Sequence, residues 1–458
     1  MSRSHKVAVA MSIAFLSLCF NAASIAGKAP AVVVEAEEVI TTCAAPNNGA
    51  GPLWCYGAPL IVRVGGDVFA SITETGQDVP PLCNTRWRLF RRDEKSWKLL
   101  HYPPAFRNRE PCPLVAFADG SLFLSVNPST QPPGTQYGAC EPDALRFSAK
   151  EPDREGEPLR PLWADGAIFT DHSYRGIAAD GPRGELLLLN IHSRTGEYFW
   201  SFRDESGKWA QQGRIAFPIR ACYPEVALRN RAAHVLAIGD IVEPNKEWRA
   251  YKLAKTNRDW DYAFRRLFYT WTPDIGRSEF ASPLELDTVE ATAGHISNLD
   301  LWIAGDGAAH LLYLKNSIAS PLMRNRFFPG QPIVSSLEHV VLKEGKIIAR
   351  KTLLRGVEGA GSEIPGHARF HATDDGRLFV VYLCSGRTAE GKPLLENRLL
   401  QVLPQEKDVR PATIPLKEPF RTFFTAAERG GSKPSRLLDL FGAGRDGTAL
   451  RYARARIE

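Results

Sequence analysis

Short apolar runs that start at a glycine recur along the chain, about 50 to 75 residues apart. They are Gly66-Asp-Val-Phe-Ala-Ser-Ile, Gly120-Ser-Leu-Phe-Leu-Ser-Val, Gly184-Glu-Leu-Leu-Leu-Leu, Gly307-Ala-Ala-His-Leu-Leu-Tyr, Gly376-Arg-Leu-Phe-Val-Val-Tyr and Gly447-Thr-Ala-Leu-Arg-Tyr. A degenerate copy lies at Ala233-His-Val-Leu-Ala-Ile. A shorter apolar run precedes each: Ala58–Val64, Pro113–Phe117, Tyr174–Ala179, Tyr223–Leu228, Leu299–Ala304, Ala368–Ala372 and Leu437–Phe441. Runs of this length, punctuated by glycine, predict strands rather than helices. Most units continue into a further strand pair around a charged turn, such as Tyr198–Arg203 and Trp209–Ile215 flanking Asp204-Glu-Ser-Gly-Lys.

Four strands per unit, repeated seven times, predict an all-β, seven-bladed β-propeller; discounting the degenerate copy leaves six blades. The last unit stops soon after its Gly447 run, while Ala31–Thr42 is a spare strand at the other end of the chain. Pairing these termini closes the ring and removes an open sheet edge. Residues 31–458 are therefore read as one domain, with insertions around Glu243–Asp261 and Asn316–Ser336 decorating loops.

Residues 1–26 have the layout of a cleaved secretory signal: basic Arg3 and Lys6, an apolar Val7–Phe20, then small residues ending at Ala26. The expected location is secreted or periplasmic. No later stretch is long and apolar enough to predict a membrane span. The formal charge of +6 falls to about +4 without Arg3 and Lys6, which argues against nucleic acid and leaves a mild preference for anions. In an exported chain the cysteines are expected to pair. Cys55 to Cys83 and Cys112 to Cys140 are both 28 apart, so those two pairings are the simplest, with Cys83–Cys112 as rival. No Cys-x-x-Cys pattern points to a metal, no cofactor is expected, and the chain is read as a monomer.

Candidate chemistry collects at one end of the repeat. Asp171 to His192 reads as strand, glycine-rich turn and strand with a histidine at each open end, so folding back brings His172 and His192 to the same end. In a propeller, the starts of first strands and the ends of second strands share one mouth of the central channel. That register collects Tyr56, His172, Tyr174, Arg175, His192, Tyr223, His295, Asn298, Asp300, His367, Arg369 and His371. Such a set suits a sugar or acid–base site. The plainer alternative is a polar, water-filled channel without chemistry.

The turn Asp204-Glu-Ser-Gly-Lys-Trp209 resembles the Asp-box turn of sialidase-like, BNR-repeat propellers, and Asp93-Glu-Lys-Ser-Trp97 repeats it without the glycine. A sialidase arginine triad is not assignable, and Phe217-Pro-Ile-Arg220 is not that group's Arg-Ile-Pro motif. Over residues 171–240 the chain is similar to the ulvan-lyase-type polysaccharide lyases, through His172, His192 and Tyr223 in order. The arginine of that pattern would fall near Gly239-Asp240, where this chain has none.

The resemblance implies β-elimination on an acidic polysaccharide. His172 or His192 would be the base and Tyr223 the acid; the repeat register, rather than the resemblance, places Tyr174, Arg175, His295, Asn298, Asp300, His367, Arg369 and His371 at the same mouth as substrate-binding residues. The competing readings are a non-catalytic glycan- or protein-binding propeller and a glycoside hydrolase, which needs two facing carboxylates.

Overall fold

The computed structural model describes residues 29–458 apart from 55, 78, 80, 81, 259, 260, 360, 362, 389, 406–408, 445 and 446. The expected signal at 1–26 and Cys55 lie outside the described residues. Seven four-stranded antiparallel sheets form the ring of a seven-bladed β-propeller. The first blade is built from Ile61–Val64, Asp67–Thr75, Thr85–Arg92 and Trp97–His101. The third is built from Gly176–Asp180, Glu185–Ile191, Tyr198–Arg203 and Trp209–Ile215, paired in sequence order. Neighbouring blades pack apolar faces, so Leu187, Leu189 and Trp200 of the third blade share one cluster with Val226, Val235 and Leu236 of the fourth. Each fully buried side chain of this kind contributes ~1.5–3 kcal/mol relative to exposure.

The ring closes through the termini. Val32–Thr42 pairs antiparallel with Ala449–Ile457 as the outermost strand of the seventh blade. The makeup of that blade differs from the expectation in one respect. Its innermost strand is the three-residue Phe423–Thr425, so Leu437–Ala443 is second and the Gly447 run leads into the third. Three residues are too few to show an alternating pattern. The degenerate run near Ala233 is a full second strand, Ala232–Gly239, so the six-blade alternative falls away.

The two insertions carry short helices. Helix α1, Lys246–Thr256, is capped by Asn245, whose side chain accepts from the Glu247 and Trp248 N–H groups. Helix α2, Pro321–Phe327, has Ser320 as cap and proline in its first turn. Trp248 and Tyr251 of α1 pack on Phe327 of α2, with ring centroids 6.2 and 5.3 Å apart. Among the described residues no helix is long and apolar enough to cross a membrane.

The Asp204 turn is a structural clasp. Asp204 Oδ1 accepts from the N–H groups of Ser206 and Lys208, Gly207 takes a positive φ, and the Trp209 indole donates to Leu159 O at 2.6 Å.

Cys43, Cys83, Cys112, Cys140, Cys222 and Cys384 are free thiols, so neither Cys112–Cys140 nor Cys83–Cys112 is formed. Cys112 is buried at the inner end of the second blade, where its thiol faces Asn108 Oδ1 at 3.8 Å and the Arg175 guanidinium lies 3.8 Å away. Cys140 sits on an outer loop paired with Ser129. For Cys112 and Cys140 the 28-residue spacing reflects loop length rather than a bond, and Cys55–Cys83 lies outside the described residues.

Candidate functional site

The channel is blocked partway by a loop of the seventh blade. Arg429, on a short 3-10 turn at Glu428–Gly430, reaches Glu225 at 2.8 Å, Asp300 at 2.8 Å and Gly57 O at 2.7 Å. Arg369 lies 3.6 Å from the same Glu225 and donates to Tyr56 O. All four charged side chains are almost fully buried, and burial raises the Glu225 carboxyl well above its ordinary range despite the two arginines. Gly431 makes the loop possible: at φ +90° its Cα lies so close to Ala116 that a Cβ would stand 1.7 Å from Ala116 O. Pairing of buried charges is what makes such a plug tolerable.

Above the plug, aromatic residues from several blades converge. Tyr223 is the centre: its ring lies 4.8 Å from Tyr56, 5.1 Å from Tyr174, 5.6 Å from Trp54 and 6.2 Å from Phe264. Asn298 fixes it from the fifth blade, donating to Tyr223 O at 2.5 Å and accepting from the Tyr56 hydroxyl at 3.3 Å. Gly57 itself lies directly on this backbone, since a Cβ there would meet Tyr223 O at 2.5 Å. Tyr174 and Tyr223 both have positive φ, 35° and 49°, although they are bulky L residues. Strained backbone of this kind persists only where its surroundings enforce it, and it concentrates at functional sites. At Tyr174 the enforcing group is Glu110, whose carboxylate accepts from Tyr174 N at 3.1 Å and Ser173 Oγ at 2.6 Å. At Tyr223 it is a bulge that breaks the ladder between Cys222 and Glu225.

Two arginines complete the rim. Arg109 Nη1 donates to Asp171 Oδ2 at 3.0 Å and to His172 Nε2 at 2.6 Å. A guanidinium only donates, so Nε2 of His172 accepts and a neutral ring carries its proton on Nδ1. Burial, and then the Arg109 charge, hold His172 below its ordinary pKa. Arg220 lies over the Tyr174 ring at 5.3 Å and pairs with Asp240 Oδ2 at 2.5 Å. Burial drives the Tyr174 phenol's pKa far up, so it stays protonated.

The residues predicted from sequence thus divide by depth. His172, Tyr174, Tyr223 and Asn298 meet at the mouth together with Tyr56. His367 borders them, 6.4 Å from Tyr56, with Nε2 on Phe423 O at 2.9 Å. His295 stands one ring further out, 5.6 Å from Phe264, and burial lowers its pKa. Asp300 and Arg369 belong to the plug. His371 is at the far end of its strand, on Ser435 O at 2.8 Å. Arg175 turns away between blades and donates to Pro111 O and Glu110 O.

His192 does lie across the hairpin end from His172, where Ile191 N donates to Ser173 O at 3.1 Å. Its ring packs 5.7 Å from Phe199, and Nδ1 takes the Thr195 N–H at 3.0 Å. That bond leaves the proton of a neutral His192 on Nε2.

Arg109, Arg220 and Asp240 were not among the residues predicted from sequence. The pairing of Ala221 with Gly239 is what brings Arg220 beside Asp240. A cation therefore occupies the neighbourhood of Gly239-Asp240, supplied by the adjacent strand. Among the described residues no group of three His, Cys, Asp or Glu side chains is arranged to hold a metal ion.

No family model matches the chain, and no curated protein matches it in sequence. Among solved structures, the polysaccharide lyase Uly1 is similar with a TM-score of 0.54 at 11% identity, over 93% of this chain and 99% of that one. An α-L-arabinofuranosidase of Fusarium graminearum, in complex with arabinobiose, has a TM-score of 0.40 at 10% identity, over 75% of this chain and 93% of that one. An α-L-arabinanase of Penicillium chrysogenum has 0.38 at 13% identity, over 74% and 92%. At these identities the likeness to Uly1 establishes the propeller fold, and the two weaker ones add nothing to the argument.

Proposed function

We propose that this propeller acts on an acidic polysaccharide at the channel mouth, cleaving it by β-elimination next to a uronate. The observation that carries the reading is the company of His172. A histidine held neutral stands beside two tyrosines and two arginines, while the carboxylates named near them are already engaged, Glu110 by the Ser173 hydroxyl and the Tyr174 N–H. Asp171 is held by Arg109, Asp240 by Arg220, and Glu225 and Asp300 by Arg429. Retaining and inverting hydrolysis both need two working carboxyl groups across the scissile bond, which disfavours a hydrolase. Elimination needs a base, an acid and a cation, and those are the groups on offer.

In this reading the substrate carboxylate draws the Arg109 N–H off His172, with Arg220 as the second cation facing it. His172 Nε2 takes the proton from the carbon next to the carboxylate. The electron pair left behind forms a carbon–carbon double bond and expels the glycosidic oxygen, which the Tyr223 hydroxyl protonates. Solvent then returns the proton to Tyr223 and removes the one on His172. The similarity to the polysaccharide lyase Uly1 is compatible with this chemistry without carrying it. A panel of uronate-containing polysaccharides, assayed for shortened chains with new ultraviolet absorbance, tests the reading. Binding without turnover would select a glycan-binding module instead.

A further inference from the structure

The plug leaves a second chamber beneath it, at the end of the channel opposite Tyr223. The first strands of the third, fourth and fifth blades end there, at Asp180, Arg229 and Ile303. With the loop through Gly431 and Lys433 they enclose about 280 Å³. The floor is apolar: Ala179, Ala227, Leu228 and Ile303 line it, and all four are buried. One wall is the half-buried Trp302, whose indole N–H donates to Glu428. Arg229 Nη1 donates to Ile303 O at 2.9 Å and lies 3.5 Å from the same carboxylate, so Glu428 is engaged on both sides. Asp180 is capped by backbone, accepting from Asn230 N at 2.6 Å and Arg183 N at 3.4 Å. Arg429 is held by Glu225 and Asp300 in the plug. The loop itself is pinned, by the approach of Gly431 to Ala116 and by Ser432 Oγ, which accepts from Arg63 N at 3.0 Å. Of the charged side chains that line the chamber, Lys433, exposed at its rim, is left with no ion-pair partner among the described residues.

We propose that this chamber is a second binding site, for a small carboxylic acid that carries one apolar ring. The carboxylate sits on Lys433 and Arg229 at the rim, and the ring lies on the floor beside Trp302. Size, polarity and charge each narrow the ligand. A volume of about 280 Å³ is at the lower limit for small-molecule pockets, room for one ring rather than a chain of sugars. A sugar would also set hydroxyls against Ala179, Ala227, Leu228 and Ile303, whose side chains offer them no hydrogen bond. A bare inorganic anion would satisfy Lys433 but leave that floor uncovered. Because both carboxylates of the lining are already engaged, the free charge that a ligand meets is positive. The walls are fixed by contacts already made, so binding costs little reordering of the protein. The site is independent of the chemistry proposed at the other mouth.

Calorimetric titration of the full chain with benzoate tests this, against benzyl alcohol as a ring without charge and acetate as a charge without a ring. Benzoate should bind with a Kd of about 1 mM or below. Benzyl alcohol and acetate should each bind at least ~10-fold more weakly, since each lacks one half of the recognition. Lys433→Met changes an exposed rim residue and should melt with the wild type, yet weaken benzoate at least ~5-fold, the scale of a lost charge-assisted hydrogen bond. Arg220→Ala, at the other mouth, should leave benzoate affinity unchanged. No saturable heat with benzoate, equal binding of benzyl alcohol or acetate, or wild-type affinity in Lys433→Met would each overturn the proposal. So would loss of benzoate binding in Arg220→Ala, which would place the acid at the catalytic mouth instead.

Discussion

Arg109 Nη1 lies 2.6 Å from His172 Nε2 and 3.0 Å from Asp171 Oδ2, so one guanidinium group holds a histidine and a carboxylate from the next blade. The contact sets the tautomer of His172 and helps burial to keep it neutral. Arg109→Gln should therefore raise the His172 titration midpoint, because it removes a positive neighbour and leaves Asp171, which favours the imidazolium. Histidine-resolved NMR titration checks this, and an unchanged midpoint would mean that Arg109 does not govern the ring. The variant should also lose a few kcal/mol of stability, since Asp171 is 3% exposed and would be left unpaired.

Acid should weaken the ring well before its carboxylates protonate. Burial lowers the pKa of His234 and His371 to about 4, and that of His310 and His339 to about 4 and about 3. In the unfolded chain these histidines take protons near 6.5. Between pH 6.5 and 4 the unfolded state binds more protons, so the stability due to the neutral rings is complete above 6.5 and lost as pH falls toward 4. Each contributes about 1.4 kcal/mol per pH unit in that window. Melting temperature measured against pH should fall steeply there, and less steeply in His234→Gln. A flat profile would contradict the burial of these rings.

The plug makes a sharper demand on one glycine. Gly431→Ala must move either its own loop or the Ala116 strand, because the new methyl would overlap Ala116 O, and the residue's φ is positive. A loss of ~3 kcal/mol or more is expected in chemical denaturation, from backbone strain plus the disturbed Arg429 pairs. A loss under ~1 kcal/mol would show that the loop does not sit in the channel as described.

Most of the fold was legible in the sequence because each blade repeats the same two signals, short apolar runs and glycine turns. The third blade shows this best: Gly184-Glu-Leu-Leu-Leu-Leu opens a strand whose ladder with Gly176–Asp180 follows from the turn. Phe423–Thr425 was not legible, because three residues carry no period. Of the site, His172, Tyr174 and Tyr223 could be placed from register alone, since each begins a blade. Arg109 and Arg220 could not, because their partners come from pairing between segments rather than from spacing. Arg109 meets a residue 62 positions away in a different blade. The one available signal was the register of the fourth blade, which sets Arg220 opposite Asp240, with Asp240 N donating to Arg220 O at 2.8 Å. His192 illustrates the converse. Hairpin geometry placed its backbone, but the direction of its ring depended on Thr195 and Phe199.

The most direct test of the proposed elimination compares wild type with Tyr223→Phe and Arg220→Ala on a uronate polysaccharide that the wild type degrades, following ultraviolet absorbance of the unsaturated product. Tyr223→Phe keeps the aromatic packing and removes only the hydroxyl. It should melt within a few degrees of wild type and lose at least ~100-fold in turnover, the usual contribution of a general acid. Arg220→Ala should lose turnover likewise, through weaker neutralisation of the carboxylate. Full activity in Tyr223→Phe, or products of wild-type cleavage without the double bond, would contradict the assignment.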